Sequence, residues 1–339
     1  STHFVKKGHR VVVLVIKDTI EIRLDDRVVI ESLGFIKYKV FPKYLINALR
    51  LKKKLSLLEE RYGNFNLKIS NLTLSNRLMS LAQISNTYYC IHENLSRSNL
   101  FKRKGLSRML RKRRINTMLS KKYILAVSEG IKQDLYIHFN VRQGSVKTIY
   151  NPVDINLIRA LSEQPNPYHG IKYLVHVGRM THEKRHDVLL EAYKRSDLEH
   201  SLVLVGDGPL KQSISTKIEQ LGLGDKVILA GRLENPYPVM KAADLLVLSS
   251  DYEGFGIVLT EALALHTPVV STDCQSGPRE IMSPCCANYL APVDDAEGLS
   301  KKIRQALADL ENDNICIDDT VVERFSIDRI GQQYLSLCR

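Results

Sequence analysis

The sequence predicts an α/β protein of two successive doubly wound, Rossmann-like domains, and three observations predict it. Short, apolar, β-branched runs alternate with helical patterns through both halves, the mark of parallel sheets covered on both faces. The chain has 339 residues, enough for two cores of the usual domain size of roughly 100–200 residues. Charge also divides it. Residues 1–150 hold 30 Lys and Arg against 10 Asp and Glu, while residues 151–339 hold 19 against 27, so the net +12 conceals +20 and −8.

Taken in order, strands in the first half are expected at 10–17, 35–41, 66–72, 87–91, 123–128 and 146–150, with helices at 46–61 and 130–139 among them. A seam follows at 151–170, where Pro152, Pro165 and Pro167 stand among polar residues. Domains are therefore expected at 1–150 and 151–324. Strands in the second half are expected at 172–177, 201–205, 226–230, 245–249 and 268–271. Helices alternate with them at 187–195, 210–221, 239–243, 257–265 and 296–310. Residues 1–7 read as the tail of a helix, and Gly8 leads straight into a strand. An open α/β domain usually begins with a strand and a tight glycine turn. The expectation is a first domain without that strand, through an unusual start or the loss of a short N-terminal piece.

Composition excludes several classes. A 44% hydrophobic content is too high for a disordered chain, and 18 Gly with 11 Pro exclude a collagen-like one. No run approaches the ~20 apolar residues of a membrane span. The basic balance asks for an anionic partner, and only in the first half. Cys90, Cys274, Cys285, Cys286, Cys316 and Cys338 form no Cys-x-x-Cys and no zinc-spaced cluster with His. With no signal peptide at the start, they read as reduced thiols of a cytoplasmic protein.

The richest chemistry lies at 249–268, S-S-D-Y-E-G-F-G-I-V-L-T-E-A-L-A-L-H-T-P. A strand ends, Gly254 and Gly256 turn, and a helix starts near Ile257, offering free N–H groups and a dipole to a phosphate. Glu253 and Glu261 suit sugar hydroxyls rather than the phosphate itself. In isolation they also read as solvated glutamates flanking an ordinary βα turn. In Gly178-Arg179-Met180-Thr181-His182-Glu183-Lys184, two cations follow a strand and could hold a diphosphate without a metal. In Val205-Gly206-Asp207-Gly208-Pro209 the spacing fits a tight turn, with Asp207 as part of it. All three stretches sit where open α/β sheets bind ligands, at the carboxyl ends of strands.

The ordered array G-R-M-T-H-E-K-R, V-G-D-G-P-L, N-P-Y-P-V-M-K-A-A-D, S-S-D-Y-E-G-F-G-I-V-L-T-E-A-L and T-P-V-V-S-T-D-C-Q-S-G-P-R-E-I resembles the retaining glycosyltransferases of family 4, which have the GT-B fold. The likeness runs through 145–339 and continues more weakly in Ile91-His92-Glu93-Asn94, Ala126-Val127-Ser128-Glu129 and Ile149-Tyr150-Asn151-Pro152-Val153-Asp154. The Glu-x7-Glu element is the hallmark.

The resemblance implies two Rossmann-like domains facing a cleft, with a C-terminal helix at 325–339 crossing back to the first. A nucleotide sugar, best matched by a UDP-sugar, would lie mainly on the second domain, as substrate and with no cofactor. Arg179 and Lys184 would hold its diphosphate, beside Gly178 and Asp207. Glu261 would hold the ribose. Glu253 and the backbone of Gly254, Phe255, Gly256 and Ile257 would hold the sugar and distal phosphate. Backbone at Arg232 and Leu233 would read the base, and His92 matches the family's active-site histidine. No Asp-x-Asp is present, so no metal is expected, and front-face attack with the departing phosphate taking the acceptor proton is the implied route. The alternatives are a catalytically silent nucleotide-sugar-binding or interaction protein on the same fold, and a phosphorylase-like enzyme.

Between Asn94 and Ser128 there are eleven basic residues and no acid. Leu106, Met109, Leu110, Ile115, Met118 and Leu119 are interleaved at helical spacing. The segment fits an anionic membrane surface met through residues 97–122. It fits equally a solvated helix whose apolar side packs on its own domain. No nucleic-acid recognition module or stacking platform is present. A glycan or glycolipid acceptor of a bacterial type, such as a lipopolysaccharide core, and a place on the inner face of the cytoplasmic membrane follow from the first reading.

Overall fold

Twelve short strands, β1 to β12 in chain order, organise a computed structural model that describes residues 1–16, 24–35, 43–283, 285–315 and 317–338. Residues 36–41 of the strand expected at 35–41, the last residue of that expected at 10–17, and Cys316 lie outside them. The chain divides into two units, Ser1–Tyr150 with Ile327–Arg339, and Asn151–Ser326.

In the first unit β1 (Val12–Val15) and β2 (Val29–Ser32) form a parallel pair. β3 (Lys68–Asn71), β4 (Thr87–Ile91), β5 (Tyr123–Ala126) and β6 (Val146–Thr148) form a four-stranded parallel sheet in sequence order. β2 was not anticipated, because Val29-Ile30-Glu31-Ser32 is too short and mixed to stand out by period. Helices flank the larger sheet. The helix Glu129–His138 is capped by Ser128, whose side chain accepts from the Ile131 N–H.

The second unit holds β7 (Tyr173–Val177), β8 (Ser201–Val205), β9 (Val227–Gly231), β10 (Leu245–Leu248), β11 (Val269–Thr272) and β12 (Leu290–Ala291). All are parallel, in the order β12-β11-β10-β7-β8-β9. β10 and β11 are buried at every residue, as strands covered on both faces must be, and their sequences LLVL and VVST are correspondingly free of charge. The order reverses between β7 and β10. A crevice opens at such a switch point, beyond the carboxyl ends of the two strands.

The seam is not all loop. Asp154 caps a helix, Ile155–Ser162, by accepting from the Leu157 N–H, and Ile158 buries its apolar face. The three prolines lie outside that helix, so nothing in 155–162 opposes it. At the unit's other end the Val153 N–H donates to the Phe325 carbonyl at 2.8 Å, tying together the two places where the chain leaves the unit.

Candidate active site

The loops after β7 and β10 meet at the switch point. Lys184 Nζ donates to Glu253 Oε1 at 2.5 Å, and Ser250 Oγ donates to the same oxygen at 2.6 Å. Ser249 Oγ donates to the Lys184 carbonyl at 2.7 Å, and the Asp251 N–H to the Glu183 carbonyl at 2.8 Å. Arg185 fastens the same two loops. From a left-handed backbone, φ +48°, its guanidinium reaches Asp187, Asp251 and Asp294. Those carboxylates, Asp187 first, raise its pKa above the ordinary value. Lys184 and Glu253 therefore face each other at fixed positions, largely shielded from water.

The glycine turn after β8 locks into the loop after β7. A Cβ on Gly206 would stand 2.0 Å from the Gly178 carbonyl oxygen, so only glycine fits. The Gly178 N–H donates to the Val205 carbonyl and the Met180 N–H to that of Asp207, both at 3.0 Å. Asp207 Oδ1 accepts from the Gly208 N–H at 2.7 Å, which makes the aspartate part of the turn. Arg179 is exposed on the loop.

Gly256, φ +89°, leads into the helix Ile257–Ala264 with no side-chain cap and no acid in its first turn. Its leading N–H groups are the ones an anion would meet. Gly254 stands in the same loop. The Phe255 ring is buried edge-on against Phe325, centroids 5.2 Å apart, so this residue offers the site only its backbone. One turn into the helix, Glu261 Oε1 accepts from Tyr237 Oη at 3.1 Å. Burial raises the Glu261 pKa, and the tyrosine bond opposes the rise. Arg232 and Leu233 follow β9, the former exposed and the latter half-buried.

The fold thus gathers Gly178, Lys184, Glu253, Gly254 and Gly256 at one crevice, with Glu261 a turn further along. His92 belongs to the first unit. It follows β4, and its Nε2 lies 3.0 Å from Oδ1 of Asn71, the last residue of β3. Burial lowers its pKa.

Five contributors escaped the sequence. Ser250 could have been suspected from the doubled serine before Asp251, and Tyr237 from its place in N-P-Y-P. Arg185 gives no signal, because its three partners are brought by folding. His176 on β7 and His186, the first residue of the helix His186–Ser196, stack edge-on beneath the Lys184 loop, 4.7 Å apart. His176 Nδ1 bonds the Val247 carbonyl at 2.8 Å. Burial drives both pKa values down, that of His186 to about 4 with the Lys184 charge adding to it, so the pair is neutral at pH 7.

A family model described as Glycosyl transferases group 1 matches residues 158–320, and one described as Glycosyltransferase Family 4 matches residues 1–157. The chain belongs to the family 4 glycosyltransferases. Its fold class is GT-B, two Rossmann-like units. It is 30% identical over 224 residues to the N-acetylgalactosamine-N,N'-diacetylbacillosaminyl-diphospho-undecaprenol 4-alpha-N-acetylgalactosaminyltransferase of Campylobacter jejuni, covering 66% of this chain and 61% of that one. It is 30% identical over 193 residues to the lipopolysaccharide 1,6-galactosyltransferase of Escherichia coli, covering 55% and 52%. The matched region thus spans between about half and six-tenths of these relatives' lengths. Among solved structures, Anabaena HepE in complex with UDP-glucose superposes with a TM-score of 0.73 at 20% identity, covering 91% of this chain and 85% of that one.

Proposed function

We propose that the chain is a retaining glycosyltransferase that moves a hexose or N-acetylhexosamine from a UDP-sugar to a glycan or glycolipid acceptor. The observation that carries this reading is the Lys184–Glu253 pair beside the uncapped start of the helix Ile257–Ala264, at the sheet's switch point. A cation and helix N–H groups suit a diphosphate, and a carboxylate held at its edge suits sugar hydroxyls. In this reading Arg179 and Lys184 bind the diphosphate and stabilise its charge as it leaves. Glu253 and the backbone of Gly254–Ile257 hold the sugar and distal phosphate. Glu261 holds the ribose, the backbone at Gly178, Arg232 and Leu233 lines the nucleotide, and Asp207 keeps the loop in shape. His92 faces the sugar.

Glu253 already accepts from Lys184 and Ser250, which suits a binding group better than a nucleophile. The acceptor oxygen then bonds to the anomeric carbon on the face the phosphate leaves. The carbon–phosphate-oxygen bond breaks, and the acceptor proton passes to the departing phosphate, with no metal in the step. The UDP-glucose of the HepE structure supports the donor class, and the diphospho-undecaprenol and lipopolysaccharide in the names of the two relatives support a bacterial glycolipid acceptor. That acceptor would be met at the inner face of the cytoplasmic membrane.

The test is transfer from a panel of UDP-sugars to a lipid-linked or lipopolysaccharide-core acceptor, with and without EDTA, the new linkage being read by NMR. Retention of the donor's anomeric configuration and full activity in EDTA are expected. An inverted product, or activity lost to EDTA and restored by Mg²⁺ or Mn²⁺, would overturn the mechanism.

A further inference from the structure

The turn after the helix Pro278–Met282 carries two adjacent cysteines, and neither belongs to the donor site. The N–H groups of Cys285 and Cys286 both donate to the Met282 carbonyl, at 3.1 and 2.8 Å, so one tight turn holds the pair. Cys285 is half-buried and Cys286 buried, and both line a cavity of about 80 Å³ with Pro268, Val269 and Tyr289. The Cys286 thiol donates a hydrogen bond to the Cys285 sulfur. Of the two, Cys285 is the sulfur that an external reagent meets first.

The surroundings favour a thiolate at Cys285. The bond from Cys286 lowers its pKa, burial opposes that, and the Arg324 charge adds to the lowering. The same bond raises the pKa of Cys286, with burial adding to the rise. Arg324 is itself fixed in place, its Nη2 donating to the Glu280 and Ile281 carbonyls at 2.5 and 2.8 Å. A partly exposed cysteine of lowered pKa beside a second thiol is the arrangement of a redox-sensitive pair.

We propose that Cys285 and Cys286 form a thiol switch closed by a low-molecular-weight disulfide, with Cys285 as the attacking thiol and Cys286 as the resolving one. The Cys285 thiolate attacks one sulfur of the reagent, forming a mixed disulfide and expelling a thiolate. The Cys286 thiolate then attacks Cys285 Sγ, the bond to the reagent's sulfur breaks, and a second thiolate leaves. The two cysteine protons end on the two released thiols, so the pair loses two electrons and the reagent gains them. Capping Cys285 removes the bond and the charge that raised the Cys286 pKa, so the second thiol ionises more readily. Adjacent Cα atoms stand about 3.8 Å apart, below the usual disulfide range of about 4.4–6.8 Å. The closed ring is therefore strained, easily reduced, and pulls on the turn. Gly277, at the start of the helix that the turn ends, lies against the Phe255 carbonyl with no room for a Cβ. The strain thus has a path to the loop that carries Glu253 and Gly256.

The experiment treats the full chain with glutathione disulfide and reads each cysteine by peptide mass mapping, with hydrogen exchange on the same samples. The expected product is a Cys285–Cys286 disulfide, two hydrogens lighter than the thiols and reopened by dithiothreitol. Cys286→Ser should stop at a glutathione adduct on Cys285, and Cys285→Ser should leave Cys286 unmodified. In the oxidised protein, protection should fall at 278–282 and 253–257 and return on reduction. A glutathione adduct persisting on Cys285 of the unsubstituted chain, a bond from Cys285 to any other cysteine, or unchanged exchange at 253–257 would refute the switch. Each of these is read without donor, so the switch and the transferase reading fail separately. UDP that binds neither the reduced nor the oxidised chain would count against the donor site alone.

Discussion

Glu261 sits under two opposed influences, burial that favours its neutral form and a hydroxyl that favours its charged one. Burial is the larger, so the carboxyl begins to take up protons at a higher pH than a free glutamate. A protonated Glu261 is a weaker partner for ribose hydroxyls, so donor binding falls on acidification. Removing the hydroxyl, Tyr237→Phe, leaves burial unopposed and raises the pKa further. A hydrogen bond to a charged group is worth about 1.5–3 kcal/mol, so donor KM should rise roughly tenfold or more with kcat nearly unchanged. The acid limb of kcat/KM should move to higher pH. Profiles of the two proteins against pH check this, and coincident acid limbs would remove Tyr237 from its positioning role.

At the scale of elements, much was legible because periodicity and turn chemistry are local. Among the described residues ten of the twelve strands were expected; the exceptions are β2 and the two-residue β12, which is too short to leave a pattern. The glycine turns were legible too, since close backbone approach needs glycine whatever lies opposite. What the sequence could not reveal were partners supplied by distant segments. Lys184 and Glu253 are 69 residues apart, and which cation meets which acid follows from β7 lying beside β10. Nor could spacing say which side of the helix Gly105–Leu119 faces the core: Leu106, Met109 and Leu110 repeat with the same period as Ile115, Met118 and Leu119 on the opposite side, and only the last three are buried.

The short helix Pro278–Met282 depends on a similar approach. Gly277 has φ +90°, and a Cβ there would stand 1.8 Å from the Phe255 carbonyl oxygen. Gly277→Ala must therefore push the helix away from the loop that carries Glu253 and Gly256. The expected result is a loss of more than about 2 kcal/mol in denaturant unfolding, together with weaker UDP binding by calorimetry. An alanine variant with native stability and native affinity would show that the loop and helix are not coupled.

At the scale of the whole molecule, the chain's end serves its beginning. The helix Ile327–Leu335 belongs to the unit built from residues 1–150, while the 176 residues before it form the other. A Cβ on Gly331 would meet the His3 ring at 2.5 Å, Phe4 stacks edge-on with Tyr334 at 6.5 Å, and Tyr334 hydrogen-bonds Cys90 on β4. Ile330 and Leu337 are buried, which is worth roughly 3–6 kcal/mol for the two side chains together. Truncation after Ser326 should therefore weaken the first unit selectively, although the cut lies next to the second. Hydrogen exchange read by mass spectrometry should show protection lost at 2–6 and 87–91 and retained at 173–177 and 245–248. The opposite pattern, or uniform loss across both units, would mean that the terminal helix does not stabilise the first unit independently of the second.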